Sequence, residues 1–486
     1  MEPSRTAVFL QPAGLQHRYI RKKHALSDIV ERPERLRAVC VGVAAAIARL
    51  DAREVRRDNK TTLSGAEGST VAPLKQGTIA DDLVNALDRL HLQAAASGAP
   101  AQAQAPQESV VRLVQSRATL DIYTHPAVQF VHGEDPTLPT SKGYLRDLGS
   151  WCATSQEKIN EGGSEIPPGY PQGDLYRTID AIASAAATVC EAVDMVTNEN
   201  DTSPRRAFVA IRPPGHHCSD DVPSGFCFIN NVVVAAAHAH LQHNINAVII
   251  LDIDLHHGNG TQALAWSINA DTDRKDLEED ARAAAGSSLG QPESAKRGLK
   301  IYFGSLHDIN SFPCEDGDAE LVQAASTSLH NAHGQFIENV HIEPYESEED
   351  FYARFYDKYK ARLLGKAKAF LDAVKATPKG TIVLVSAGFD ASQHEHSSMS
   401  RHSRFLPTSF YTRFARDAAA FADQHAEGKL VSVLEGGYSD RALMSGAGAW
   451  VQGLADAGLA STNTTEEDGQ WWDAKDLAKV KYHHLP

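Results

Sequence analysis

The stretch AVIILDIDLHHGNG (247–260) decides how the rest of the chain is read. Its first five residues are apolar and mostly β-branched, the composition of a strand buried on both faces of a parallel sheet. A cluster of Asp, His, Gly and Asn follows at once, so reactive side chains gather at the strand's carboxyl end. Four other runs repeat the arrangement: AFVAI (207–211) before RPPGHH, LKIYF (299–303) before SLHD, TIVLVS (381–386) before AGFD, and LVSVL (430–434) before EGGY. Helix-like segments at 179–196, 229–243, 352–376 and 408–426 lie between or beside them. This alternation predicts an α/β fold, a single open and mostly parallel sheet flanked by helices on both faces. Ligands bind such sheets beyond the carboxyl ends of the strands, so five segments deliver polar clusters to one rim.

With 486 residues and 42% hydrophobic content, the chain can bury a sizeable core. One domain over 1–486 is expected, with surface insertions or flexible loops at about 57–107, rich in Ala, Gly, Gln, Ser and Thr, and at about 269–297. DDLVNALDRLHLQ (81–93) reads as a short amphipathic helix inside the first of these. The 62 acidic and 47 basic residues give a net charge of −15, which disfavours direct nucleic-acid binding. No apolar run reaches membrane-spanning length and no signal peptide is visible. Six scattered cysteines without a CxxC motif fit a reducing compartment, so nucleus or cytoplasm is expected rather than secretion.

On an extended segment, side chains at i and i+2 share a face, so Asp254 and His256 can converge on one point. Asp390, at the end of another strand, can complete a three-ligand site of the catalytic zinc type. The competing reading is that these acids cap helices and satisfy loop amides. His216 and His217 follow Pro-Pro-Gly in a rigid turn. Beside a metal, one can take a proton from water while the other tunes it, with Asp252 and Asn259 as the groups that fix their tautomers. His257 reads as structural. Gly436 and Gly437 allow a tight turn that presents the Tyr438 hydroxyl to a developing oxyanion, although a packing tyrosine fits the same pattern. Phe226, after Gly225, and Phe312 would line a narrow slot for an alkyl chain, with core packing as the alternative for either ring.

Taken together, RPERL (32–36), RPPGHHCSDDVPSGFCFINNVVVAAAHA (212–239), VIILDIDLHHGNGTQ (248–262), IYFGSLHD (301–308), VLVSAGFDAS (383–392) and VSVLEGGYS (431–439) resemble the zinc-dependent histone deacetylases, in their class II-like fungal branch. The resemblance implies the arginase/deacetylase fold and hydrolysis of N6-acetyl-lysine in histones or other proteins. It implies zinc on Asp254, His256 and Asp390, with His217 as general base, His216 as its electrostatic partner and Tyr438 on the acetyl carbonyl. Phe226 and Phe312, with Gly225 and Gly437, would form the acetyl-lysine tunnel, and Arg35 would line the acetate exit. A structural potassium ion is implied near Asp252, His256, Ser305 and Leu306. The expected partners are acetylated peptides such as histone tails, with a homo-oligomer or a corepressor complex in keeping with the family.

Asn259 stands where class I relatives carry aspartate, and ASQHEHSSMSRHSRF (391–405) replaces the Gly-Asp-Pro-type loop common in relatives. Three rivals stay open. An acetylpolyamine deacetylase would carry a gatekeeping acid at about Ser397, with Glu395 nearby. A catalytically silent acetyl-lysine reader would have lost the tyrosine or a ligand. An arginase-like two-metal site would need Asp-x-His-x-Asp, whereas His256 is followed by His257 and Gly258.

Overall fold

The structure is a computed structural model; it describes residues 6–18, 30–63, 109–133, 143–163, 178–200, 202–284, 298–399 and 401–457. The strands are β1 (Thr6–Leu10), β2 (Val111–Gln115), β3 (Arg206–Ala210), β4 (Ala247–Asp252), β5 (Lys300–His307), β6 (Ser328–Ala332), β7 (Gln335–His341), β8 (Thr381–Ala387) and β9 (Leu430–Leu434). They form one sheet in the order β2-β1-β3-β9-β8-β4-β5-β7-β6. Every pairing is parallel except β6 with β7. The five runs singled out from the sequence are the five contiguous central strands, β3-β9-β8-β4-β5.

The alternation of side chains along β4 shows why both faces must be covered. Ile249 and Leu251 enter one core with α1 (Glu34–Leu63), the helical stretch α8 (348–373), α9 (Thr408–His425) and α10 (Asp440–Asp456). Val248 and Ile250 enter the other with α2 (Pro126–His132), α3 (Tyr144–Asn160), α4 (Thr178–Thr197) and α5 (Asn231–His243). This is the three-layer arrangement that a doubly buried parallel sheet requires. The short helix α7 (Ala319–Ala324) lies between β5 and β6, and α8 contains two π-turns, at Tyr352–Tyr356 and Ala361–Gly365. No helix among the described residues is long and apolar enough to cross a membrane.

The second expected insertion needs correction. Residues 269–284 are the distal part of α6 (Asn259–Ala284), not a loop. Asp271 pairs with Arg274 and Lys275, and Glu278 with Arg274 and Arg282, at helical spacings. On the buried side the Asn269 amide donates to the Ile301 carbonyl and accepts from the Ile301 N–H, both at 2.8 Å. Charge density that reads as a loop is the solvated face of a helix tied to β5. In the first insertion, 57–63 continue α1. Residues 64–107, with the helix expected at 81–93, and residues 285–297 lie outside the described residues.

Candidate active site

Asp254 and His256 follow β4, and Asp390 follows the neighbouring β8. One ligand atom from each lies within 4.8 Å of the other two, and all three residues are buried. His256 Nδ1 is 3.1 Å from Asp254 Oδ1 and 3.0 Å from Asp390 Oδ2. The Gly436 N–H donates to Asp254 Oδ2 and the Leu255 N–H to Asp390 Oδ1, both at 2.8 Å, which fixes the carboxylates. Two glycines give them room: a Cβ on Gly388 would stand 1.9 Å from Asp254 Oδ2, and one on Gly436 would stand 2.1 Å from Asp390 Oδ2. Burial would lower the His256 pKa, but its contacts with Asp254 and Asp390 push it up to about 10. A buried imidazole held between two carboxylates is a site that demands positive charge. The donor set, one imidazole between two carboxylates, fits a divalent cation of zinc's kind.

The paired histidines sit in the loop after β3, each on a partner that the sequence proposed. His216 Nδ1 meets Asp252 Oδ2 at 3.0 Å, and His217 Nδ1 meets Asn259 Oδ1 at 2.7 Å. Their ring centroids are 4.0 Å apart, and the His217 ring lies 6.0 Å from that of His256. Burial opposes charge on both rings, yet Asp254 and Asp252 outweigh it at His216 and raise its pKa to about 10. At His217 burial is reinforced by the neighbouring His216 and His256, which hold its pKa well below the ordinary value. Asn259 adds no charge to offset them. The two rings are thus biased in opposite directions, His216 toward its charged form and His217 toward its neutral form. His257 instead bonds Gln262 Oε1 through Nε2 at 3.0 Å and packs on His307, away from this pair.

Tyr438 lies on the loop after β9, and that loop is held from several sides. Arg35 Nε donates to the Gly437 carbonyl at 2.6 Å, and another nitrogen of its guanidinium donates to the Glu435 carbonyl. The guanidinium sits 5.1 Å from the Tyr438 ring centroid. Arg35 is thus a buried brace of the tyrosine loop, an arrangement not foreseen from RPERL. Gly437, at φ +110°, occupies backbone space that only glycine adopts readily. Burial, with the Asp390 and Asp254 charges, keeps the Tyr438 pKa well above its usual value, so the hydroxyl retains its proton.

Two acids missed as supports in the sequence complete the frame. Glu435 Oε2 accepts the N–H groups of Gly215 (2.7 Å) and His216 (3.1 Å), linking the tyrosine loop to the histidine loop. Glu395 accepts the Tyr438 N–H on Oε2 and the Ser439 N–H on Oε1, both at 2.7 Å. Its only advance signal was an acid in a loop that departs from the relatives' pattern. Ser397 is exposed.

Phe312 meets the His217 ring edge-on at 4.8 Å, and Phe226 lies 6.1 Å from the Tyr438 ring. Both phenylalanines are partly exposed, so they stand at the rim rather than in the core. Phe226 has φ +68°, and a Cβ on Gly225 would stand 2.3 Å from His217 Cδ2. Ser305 pairs in register with Asp252 and is buried together with Leu306 at the end of β5.

An open, mostly parallel sheet that gathers a buried Asp-His-Asp group, two histidines and a tyrosine at its carboxyl ends defines a hydrolase-type site, and the histone deacetylase domain profile matches residues 129–454. The chain belongs to the histone deacetylase family. It is 33% identical over 93% of its length to "Histone deacetylase HOS3" of Saccharomyces cerevisiae, of which it spans 57%. It is 29% identical to "Histone deacetylase-like amidohydrolase" of Pseudomonas aeruginosa, over 57% of either chain. The chain therefore spans a little over half the length of these curated relatives. In fold it is similar to the crystal structure of the HDA15 HD domain, with a TM-score of 0.55 and 21% identity over 98% of this chain and 94% of that one.

Proposed function

We propose that the protein hydrolyses N6-acetyl-lysine in histones or other proteins, releasing acetate and the free amine. The observation that carries this reading is the placement of two histidines, each fixed on a polar partner through Nδ1, and of the braced Tyr438 loop around one buried Asp-His-Asp group. Asp254, His256 and Asp390 would hold zinc, which when bound supplies Lewis acidity toward the acetyl carbonyl and toward water. His217, oriented through Nδ1 by Asn259, has Nε2 to accept the proton of the attacking water and to return it to the departing lysine amine. His216, biased toward its charged form by Asp254 and Asp252, favours the neutral form of His217 before attack. The Tyr438 hydroxyl donates to the oxygen on which negative charge develops. Phe226 and Phe312 wall the alkyl chain of the lysine. Potassium would be held near Asp252, His256, Ser305 and Leu306, where β4 and β5 end side by side.

The single sheet supports reading 1–486 as one deacetylase domain. Nucleus or cytoplasm, and a role in chromatin regulation with a corepressor or second copy as partner, belong to the same reading through the family. The acetylpolyamine alternative is disfavoured, because Glu395 is engaged by backbone N–H groups and Ser397 is uncharged. The silent-reader alternative is disfavoured because Tyr438 and the Asp254-His256-Asp390 set are intact. Among the described residues, that set is the one metal-capable group at the strand ends, which argues against a two-metal site.

Removal and restoration of metal tests this reading. Chelation should abolish turnover of an acetyl-lysine peptide, and stoichiometric zinc should restore it in wild type but not in Asp390→Asn. Undiminished turnover by the metal-free protein would overturn it.

A further inference from the structure

Away from the strand ends, three donors meet between α4, α5 and the residue that precedes α2. Cys190 lies within α4, His238 near the end of α5, and His125 is the N-cap residue of α2. One ligand atom from each lies within 4.8 Å of the other two, and the group shares no residue with the Asp254 site. His238 and Cys190 are buried, at 7% and 5% exposure, while His125 is partly exposed. The Nδ1 atoms of His125 and His238 are both buried without a hydrogen-bond partner. Leaving one such atom unpaired costs about 1–3 kcal/mol, so two in one cluster call for a common explanation. The two rings lie nearly parallel, with centroids 5.9 Å apart.

The other face of His238 carries a second sign. Its Nε2 is 2.7 Å from Asp194 Oδ1, one helical turn after Cys190, and the same oxygen is 2.7 Å from His243 Nε2. A histidine that binds a metal through one nitrogen characteristically gives its other N–H to a carboxylate, which fixes the tautomer and raises the basicity of the ligating nitrogen. Asp194 holds His238 in the tautomer that leaves Nδ1 as a lone-pair donor.

We propose that Cys190, His238 and His125 form a second metal site, for a borderline-soft divalent cation such as zinc. The cation would displace the Cys190 thiol proton to solvent, bind the resulting thiolate and satisfy both orphaned nitrogens. A sulfur and two nitrogens around zinc stand about 3.3–3.6 Å apart, so the ligands close inward on binding. The ion would pin the start of α2 to α4 and α5. Helix α2 ends at His132, whose Nε2 accepts the Asn230 N–H at 2.9 Å, and Asn230 in turn donates to the Cys218 carbonyl just after the histidine pair. The site is therefore a staple behind the catalytic loop.

Cobalt(II) titration of the metal-stripped full chain tests this, because cysteinate bound to cobalt(II) absorbs in the near ultraviolet by charge transfer and an all-oxygen-and-nitrogen site does not. The expected result is two cobalt ions per chain in wild type, with the charge-transfer band. Cys190→Ala should retain one ion and lose the band, while Asp390→Asn should keep the band and lose the other ion. The wild type and Asp390→Asn carry the test even where Cys190→Ala folds poorly by circular dichroism. A single ion without the band in wild type, or a band that survives in folded Cys190→Ala, would overturn the proposal. Failure of the active-site reading would instead appear as unchanged stoichiometry in Asp390→Asn.

Discussion

Glu395 shows how much of the site depends on side chains that touch no substrate. Both carboxylate oxygens accept N–H groups from the tyrosine loop, and burial, with the nearby Asp390 charge, lifts its pKa to about 7 even against those bonds. In Glu395→Gln the amide NH2 would face an N–H it cannot accept. The cost of such a mismatch, about 1–3 kcal/mol, corresponds to a fall in kcat of about 5- to 150-fold if Tyr438 loses its position. Steady-state kinetics should show the loss in kcat with KM little changed. The ratio of acetyl-peptide to acetylpolyamine turnover should stay constant, because the carboxylate faces the loop and not the substrate. A gain in polyamine selectivity or a loss confined to KM would show that Glu395 reads the substrate instead. At the same scale, Gly436→Ala would force a Cβ to within 2.1 Å of Asp390 Oδ2, so the variant should hold less active-site metal on elemental analysis.

At the scale of elements, the segment entering α1 is tied to the histidine loop by a buried charge cluster. Glu31 accepts from Arg35 at 2.6 Å and, bidentately, from Arg212 Nε and a terminal nitrogen, also at 2.6 Å. Burial raises the Glu31 pKa, but Arg212, His17 and Arg35 outweigh it and leave it well below the usual carboxylate value. Because the folded pKa is depressed, its stabilisation is complete above the unfolded value of about 4.3 and disappears as pH falls through the folded pKa. Glu31→Gln, which leaves two guanidiniums uncompensated, should cost about 3–5 kcal/mol at neutral pH. Its melting temperature should also fall less steeply in acid than that of wild type. Parallel melting curves from neutral pH into acid would contradict this account.

Legibility in the sequence follows the same physics. The five central strands are visible in the sequence because burial on both faces makes them continuous apolar runs, whereas β7 (QFIENVH) is hidden because buried Glu338 and Asn339 break its pattern. Those two are accommodated by Arg362 Nε, 2.6 Å from Glu338, and by carbonyls of Ala324 and Thr327 that accept from the Asn339 amide. The residues that meet at the rim were legible because each ends a strand. Glu395, Glu435 and the Arg35 brace were not, since their partners are backbone groups hundreds of residues away or across a loop, which no local spacing encodes.

For the whole molecule, parallel topology explains why six polar side chains from four separate segments converge. Strands β3, β9, β8 and β4 are neighbours pointing the same way, so their carboxyl ends form one rim. The net charge of −15 favours encounter with cationic partners over nucleic acid. In the proposed reaction this rim hydrolyses acetyl-lysine through metal, His217 and Tyr438 together. The most direct test is turnover of an acetyl-lysine peptide by wild type and Tyr438→Phe, with zinc content measured in both. The account predicts wild-type activity that chelation abolishes, and a Tyr438→Phe protein that keeps its zinc while losing about 10²–10³-fold in kcat. A zinc-loaded wild type that leaves the peptide untouched, or a Tyr438→Phe variant as active as wild type, would contradict it.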